Sequence, residues 1–326
     1  MKSVMVTGAT TPLGAAIVEQ IIKDKRAHTV LAVGAEPYED VRGLFPHSAV
    51  VYLQADLTHT RELRNLLYSP AKDLQVETVI HTALHRSAHA VGMRVHQLNV
   101  DSTYELLRLS ERHPTIRSFI LRSHAEIYRT SALEPEILDE RHPIDLSPSA
   151  PQWLRDRAEA DLTTCANMGL SPLSIKVLRC AECVAPDMGS QLFDYLTSQV
   201  CFTALGFDPM LNVISLPDLA RAFSLAVASP AHGVFNIVGK DTLPLSALIH
   251  KTGRICFAVP ATMLTPLYYL RSKVIGSDFR YDLNRFRFHF SGVMDGKRAK
   301  EVLSYSPVQT LFRSEGSQDS PFVHKD

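Results

Sequence analysis

The sequence predicts a doubly wound α/β domain followed by a smaller C-terminal domain, on three observations. Short apolar runs alternate with amphipathic helical patterns through the first half, a glycine-bearing turn follows the first run, and the alternation weakens after residue 180 or so. Such runs separated by helices specify a parallel sheet covered on both faces.

The elements follow in order. Val4 to Val6 leads into a helix over Leu13 to Ile22; Thr29 to Val33 and Val50 to Leu53 are the next strands, the latter followed by a helical pattern over Leu63 to Leu67. Val79 to His81 precedes a helix over Val91 to Leu109, Phe119 to Leu121 is a fifth strand, and a Trp153 to Met168 helix precedes a Leu173 to Leu178 strand. Beyond it Pro, Gly and aromatic residues become frequent, so the first domain is assigned to 1–180, with segments near 211–240 returning to it. The second covers 181–310. Residues 311–326, a largely polar run, are expected to form a mobile tail.

Composition narrows the function classes. Hydrophobic residues are 45% and charged residues 21% of the 326, which is the usage of a folded chain. Lys+Arg and Asp+Glu are 34 each, so no global field draws the molecule to nucleic acid or membrane, and neither partner is expected. Five cysteines, an odd number confined to the second half, read as reduced thiols in a cytoplasmic setting. Met1 and Lys2 run straight into the first strand, so no signal peptide is expected, and Pro260 and Pro266 interrupt the most apolar stretch, Phe257 to Leu270, so no spanning helix is expected there.

The turn Thr7-Gly8-Ala9-Thr10-Thr11-Pro12-Leu13-Gly14 joins strand to helix, with Pro12 suited to the first helical turn. Backbone N–H groups and the helix dipole make such a turn an anion cradle, although a tight turn also wants glycine for geometry alone.

With further stretches in sequence order, the chain resembles the extended short-chain dehydrogenase/reductases, which include nucleotide-sugar epimerases and dehydratases. Ala55-Asp56-Leu57 is similar to the family's adenine-contacting third-strand motif, and Val79-Ile80-His81-Thr82-Ala83 to the strand beneath the cofactor. Asn99 matches a structural asparagine, Val177 to Pro186 resembles LRPxxVYGP, and Ser215 to Ala222 resembles VxDLAxA. Val234 to Ile237 and Asp295 to Pro307 extend the resemblance over residues 1 to about 310. It implies a Rossmann domain with a small substrate-type domain. It also implies a site for NAD or NADP at Gly8, Thr10, Thr11, Pro12, Leu13, Gly14, Gly34, Asp56, Leu57, Thr82, Ala83, Asn99 and Arg157.

The departures point to a degraded site. GxxGxxG falls on Gly8, Thr11 and Gly14, so the middle glycine is a threonine. Gly34 stands where an acid would hold the ribose hydroxyls, and Glu36 substitutes only if the loop bends back. In the SSxxxVY stretch the catalytic hydroxyl position is His124, with Ser123 beside it; in YxxSKAxAE the tyrosine is Trp153 and the lysine Arg157. An indole has no usable pKa and Arg stays charged, so the proton relay is missing.

Other strings are expected to be inert. Pro70 is read as breaking the helical turn in Tyr68-Ser69-Pro70-Ala71-Lys72, which makes that YxxxK match a solvated loop. His81, His85 and His89 lack a matching carboxylate or Cys, and Cys180/Cys183 lack a second pair, so no metal is expected. The basic, aromatic segment from Tyr268 to Phe290 is read as rings on the core and guanidiniums in water. The expected function is a non-catalytic or sensor-like homologue acting through a protein partner, as a monomer or weak dimer. The competing reading is an NAD(P)-dependent epimerase, dehydratase or reductase acting on a nucleotide-sugar-like substrate with replacement residues such as His124, which His85 would join as substitute acid and base.

Overall fold

The computed structural model describes residues 3–312. Seven strands form the central sheet: β1 (Ser3–Thr7), β2 (Thr29–Gly34), β3 (Val50–Gln54), β4 (Val76–His81), β5 (Ser118–His124), β6 (Ser174–Cys180) and β7 (Gly233–Ile237). They run parallel in the order β7-β6-β5-β4-β1-β2-β3. The chain starts in the middle, steps outward to β3, then returns to lay β4 on the other side of β1. Neighbouring crossovers therefore leave the sheet in opposite directions between β1 and β4, opening a crevice at the strand C-termini.

Alternation within each strand builds two cores. Val4, Val6, Val30, Ala32, Ile80 and Ile120 face the helices Pro12–Lys23 and Leu216–Ala228, while Met5, Leu31, Val33, Val79 and Phe119 face the helices Thr60–Leu66 and Ser102–Glu111. Both faces are buried, which is why the strands read as unbroken apolar runs. A third cluster gathers Val184 through Phe312, including Tyr195, Tyr268, Phe279 and Phe288, around the strand pair Val200–Ala204 and Ile255–Val259.

Two local expectations are corrected. Tyr68 to Lys72 is not a loop: the helix Thr60–Leu66 continues into a π-helical turn, Leu67–Ala71, with Pro70 inside it. The wider turn accommodates the ring and the missing N–H, and burial of Leu67 and Ala71 holds it in place. At the C-terminus, Leu311 and Phe312 pack with the third cluster, and the rest of the expected tail, 313–326, lies outside the described residues.

The basic, aromatic segment turns helically at Tyr281–Asn284, so its rings do not alternate. Phe288 is buried but Phe286 is exposed, and Arg287 points inward to the Glu182 carboxylate rather than to water. All five cysteines are free thiols, and among the described residues no helix is long and apolar enough to cross a membrane.

Candidate functional site

The crevice is an open cleft of about 1310 Å³ across the ends of β1, β2, β3 and β4, bounded on its far side by residues 185–194 and Asp278. At its head the chain leaves β1 through Gly8, whose φ is +68° and whose missing Cβ would lie 2.9 Å from the Ala83 backbone. Gly14 is equally constrained, since a Cβ there would meet the Gly8 carbonyl at 2.1 Å. Between them Thr11 caps the helix Pro12–Lys23: its Oγ1 accepts from the Gly14 N–H (3.1 Å) and donates to the Gly8 carbonyl (2.8 Å). The side chain in place of the middle glycine thus already uses one N–H of the helix N-terminus.

The second-strand loop does bend back. Glu36 accepts a 2.6 Å hydrogen bond from Thr10 Oγ1, and its own carbonyl accepts one from the Tyr52 hydroxyl at 2.5 Å. Gly34 makes this possible, because a Cβ there would strike Thr10 Cγ2 at 2.5 Å. A carboxylate therefore lies beside the glycine turn, two residues later than the usual strand-end position.

At the end of β3, Asp56 accepts from the Thr58 N–H (2.9 Å) and hydroxyl (2.7 Å), with His59 and Arg94 nearby. Partial burial opposes its charge, yet these partners hold it below the usual carboxylate range.

Of the residues the resemblance nominates, Gly8, Thr10, Thr11, Gly34, Asp56, Leu57 and Ala83 line the cleft together. Pro12, Leu13 and Gly14 belong to the packed first turn behind it, and Thr82 donates to the Thr7 carbonyl (2.7 Å). Asn99 accepts from the His85 N–H (2.8 Å) and donates to Asp156 (3.2 Å), fixing the loop after β4 rather than facing the cleft. Arg157 lies below the cleft floor. Sequence reading did not nominate Arg86, Arg94 or Met188 to Ser190 as cleft residues; only their place after strand ends hinted at it.

The positions that the resemblance assigns to the proton relay are closely packed. Trp153 joins Ala88, Ile127, Leu154 and Ala158 in a small apolar cluster, and the Arg157 guanidinium lies on its ring. Arg157 faces Glu126 at 3.5 Å, both buried. Burial lowers Arg157 to about 9, with Glu126 opposing and Arg122 reinforcing the shift, so it remains a cation at neutral pH. His124, at the end of β5, is buried, lines two small cavities with Arg122 and Arg157, and is held well below its ordinary pKa by burial and then by Arg157 and Arg122. His85 lines the open cleft instead, so the two histidines share no cavity. Ser123 turns away and donates to Asp161 at 2.5 Å, and Asp161 in turn pairs with Arg179 through two bonds. Tyr128 is equally engaged, donating to Asn236 (2.7 Å) and accepting from Arg179 (3.2 Å).

The histidine series does not converge. Both His81 ring nitrogens bond threonine hydroxyls, Thr7 at 2.7 Å and Thr103 at 3.0 Å, and no group of three or more His, Cys, Asp or Glu suited to a metal occurs among the described residues. Cys180 and Cys183 are buried, which pushes both thiols up to about 12.

Residues 4–153 match the model of the NAD dependent epimerase/dehydratase family. An uncharacterized protein of Mycobacterium tuberculosis (strain ATCC 25618 / H37Rv) is 27% identical over 316 residues, 95% of this chain and 81% of that one. An uncharacterized protein of Mycobacterium bovis matches equally. Among solved structures, dTDP-glucose 4,6-dehydratase from Bacillus anthracis in complex with NAD superposes with a TM-score of 0.70 at 15% identity, over 99% of this chain and 94% of that one. UDP-glucuronic acid 4-epimerase from Bacillus cereus in complex with NAD does so with a TM-score of 0.67 at 18% identity, over 98% and 96%.

Proposed function

We propose that this chain, whose residues 4–153 match the NAD dependent epimerase/dehydratase family model, holds an NAD-class dinucleotide in the open cleft without turning over a nucleotide sugar. The cleft suits the adenosine half of such a ligand: the turn at Gly8 to Thr11 for the pyrophosphate, Glu36 for the ribose hydroxyls, Asp56 and Leu57 for the adenine. When bound, the dinucleotide supplies a hydride acceptor or donor. What this chain lacks is a group to move the accompanying proton.

One observation carries the reading: the residues at the relay positions form a closed stack, with Arg157 3.4 Å from the centre of the Trp153 ring, and His124 does not reach the cleft. Tyr128, the nearest phenol in the sequence motif, is raised to about 12 by burial and spends its proton on Asn236. No side chain of the relay set is therefore both exposed to the cleft and able to titrate near neutrality.

A fold kept without turnover acts through association, and we assign that role to a protein partner. In support, the helix Ala261–Ile275 exposes Tyr269, Leu270 and Val274 and is followed by Asp278 on the cleft wall, so an apolar surface lies close to the ligand cleft. The helix Gln152–Ala166 turns Arg155 and Glu159 outward, which fits a monomer or weak dimer.

Native mass spectrometry of the purified chain, together with assays on dTDP-glucose and UDP-glucuronic acid with NAD, tests the proposal. A retained or titratable dinucleotide with no sugar conversion is expected. Turnover that disappears in His124→Ala would overturn it in favour of a rewired enzyme.

A further inference from the structure

Below the cleft floor lies a charge cluster that dinucleotide binding does not use. Arg122 on β5, Glu126 just beyond it, Arg157 on the helix Gln152–Ala166, Glu182 on the short strand Glu182–Cys183, and Arg287 meet there. Glu182 is fully engaged, accepting from Ser190 Oγ (2.9 Å), the Leu192 N–H (2.6 Å) and Arg287. Glu126 faces Arg157. Two carboxylates thus answer two guanidiniums, and Arg122 is left over.

Arg122 is part-buried, and the nearest carboxylate, Glu126, is the one that already faces Arg157. The only hydrogen bond from its side chain among the described residues is a 3.5 Å contact to the Met188 carbonyl, and its Nε is sealed from solvent with no partner. The Cys180 and Cys183 thiols and the His124 ring beside it are neutral at physiological pH. Arg157 Nε and Trp153 Nε1 are likewise buried donors without acceptors, and the Arg157 side chain is only 4% exposed. A guanidinium cannot shed its proton to escape the cost of burial, so an uncompensated one calls for an anion.

There is room for one. Arg122, His124 and Arg157 line both a cavity of about 30 Å³, which Asp161 also borders while paired with Arg179, and a smaller one of about 10 Å³, which Glu126 and Glu182 also border while paired with Arg157 and Arg287. The larger exceeds the roughly 10–15 Å³ that a water molecule needs. We propose that the cavity bounded by Arg122, His124 and Arg157 binds one small monovalent anion, chloride under ordinary conditions. One excess charge sets the valence. Ala83 and Leu84 line both the cavity and the cleft, so the two are neighbours across the cleft floor.

The test is thermal unfolding of the full chain in sodium chloride, bromide or gluconate at equal ionic strength. Either halide should raise Tm over gluconate by roughly 2–5 °C, as a site of millimolar affinity does at 0.1–0.2 M ligand. Arg122→Met removes the excess charge and should abolish the difference. Arg271→Met, which removes another buried unpartnered Nε far from the cavity lining, should keep it. Equal Tm in all three salts, or a full halide response in Arg122→Met, would overturn the site. Should Arg122→Met fail to fold, chloride NMR on the wild-type chain decides: saturable line broadening that bromide displaces supports the site, and its absence refutes it.

Discussion

Arg157 and Trp153 are one packed unit: the guanidinium carbon sits 3.4 Å from the indole centre, one helical turn away on the helix Gln152–Ala166. Both side chains are buried, so the stack contributes to stability while closing the relay positions. Trp153→Ala should cost about 3–5 kcal/mol, the usual cost of removing a buried tryptophan. Urea unfolding measures it, and a loss under about 1 kcal/mol would show that the ring is not part of the core. Trp153→Tyr combined with Arg157→Lys should restore no turnover, because His124 still stands off the cleft.

Glu36 beside Thr10 sets cofactor preference. Its carboxylate can accept from ribose hydroxyls but repels a 2′-phosphate, and no arginine follows β2 directly. NADH should bind at least about tenfold more tightly than NADPH, a difference of about 1.4 kcal/mol. Glu36→Gln should narrow that gap. Fluorescence titration of both cofactors reads it, and equal affinities for the wild-type chain would remove Glu36 from the site.

The central sheet and the first turn were legible because their causes are local. Apolar runs long enough for strands, Gly8 at positive φ and Gly14 against the Gly8 carbonyl are all visible as residue types at fixed spacing. The loop carrying Glu36 was legible only as a condition, since its return depends on Thr10 and Tyr52, residues distant in sequence. Asn99 and Arg157 match family positions, yet their burial depends on Asp156, Trp153 and Glu126, and no spacing rule reports burial. Arg122 went unnoticed for the same reason: a lone arginine in a strand has no sequence signal that says its carboxylate partner is missing.

Thr11 ties stability and binding in opposite directions. Its hydroxyl caps the first helix by accepting from Gly14 N–H, so Thr11→Gly loses that bond and should destabilise the chain by a few tenths of a kcal/mol to about 1 kcal/mol. The same change frees an N–H at the helix N-terminus and clears the approach to the backbone, so dinucleotide affinity should rise by about tenfold. Chemical denaturation and NADH titration on one preparation separate the effects. Weaker binding in Thr11→Gly would mean that the hydroxyl itself contacts the ligand.

His81 makes the fold acid-sensitive. The Thr103 hydroxyl donates to the Asn99 carbonyl (3.0 Å), so it accepts from His81 Nε2, and His81 Nδ1 accepts from the Thr7 hydroxyl at 2.7 Å. The ring is therefore held neutral, and burial lowers its pKa to about 4. An unfolded histidine titrates near 6.5, so between about pH 6.5 and pH 4 the unfolded chain binds the extra proton. The stability His81 contributes is complete above pH 6.5 and falls as pH drops through that window, by about 3 kcal/mol at its foot. Burial lowers His113, His124 and His289 in the same direction, whereas Asp194, raised to about 7 by burial, and His96, raised by Asp156, act in the opposite one. The His81 contribution is therefore read as the difference between the wild-type chain and His81→Gln in urea unfolding from pH 7.5 to 4.5, and the wild type should lose more stability than the variant over that range. An equal change in both would show that His81 takes up its proton within the folded core.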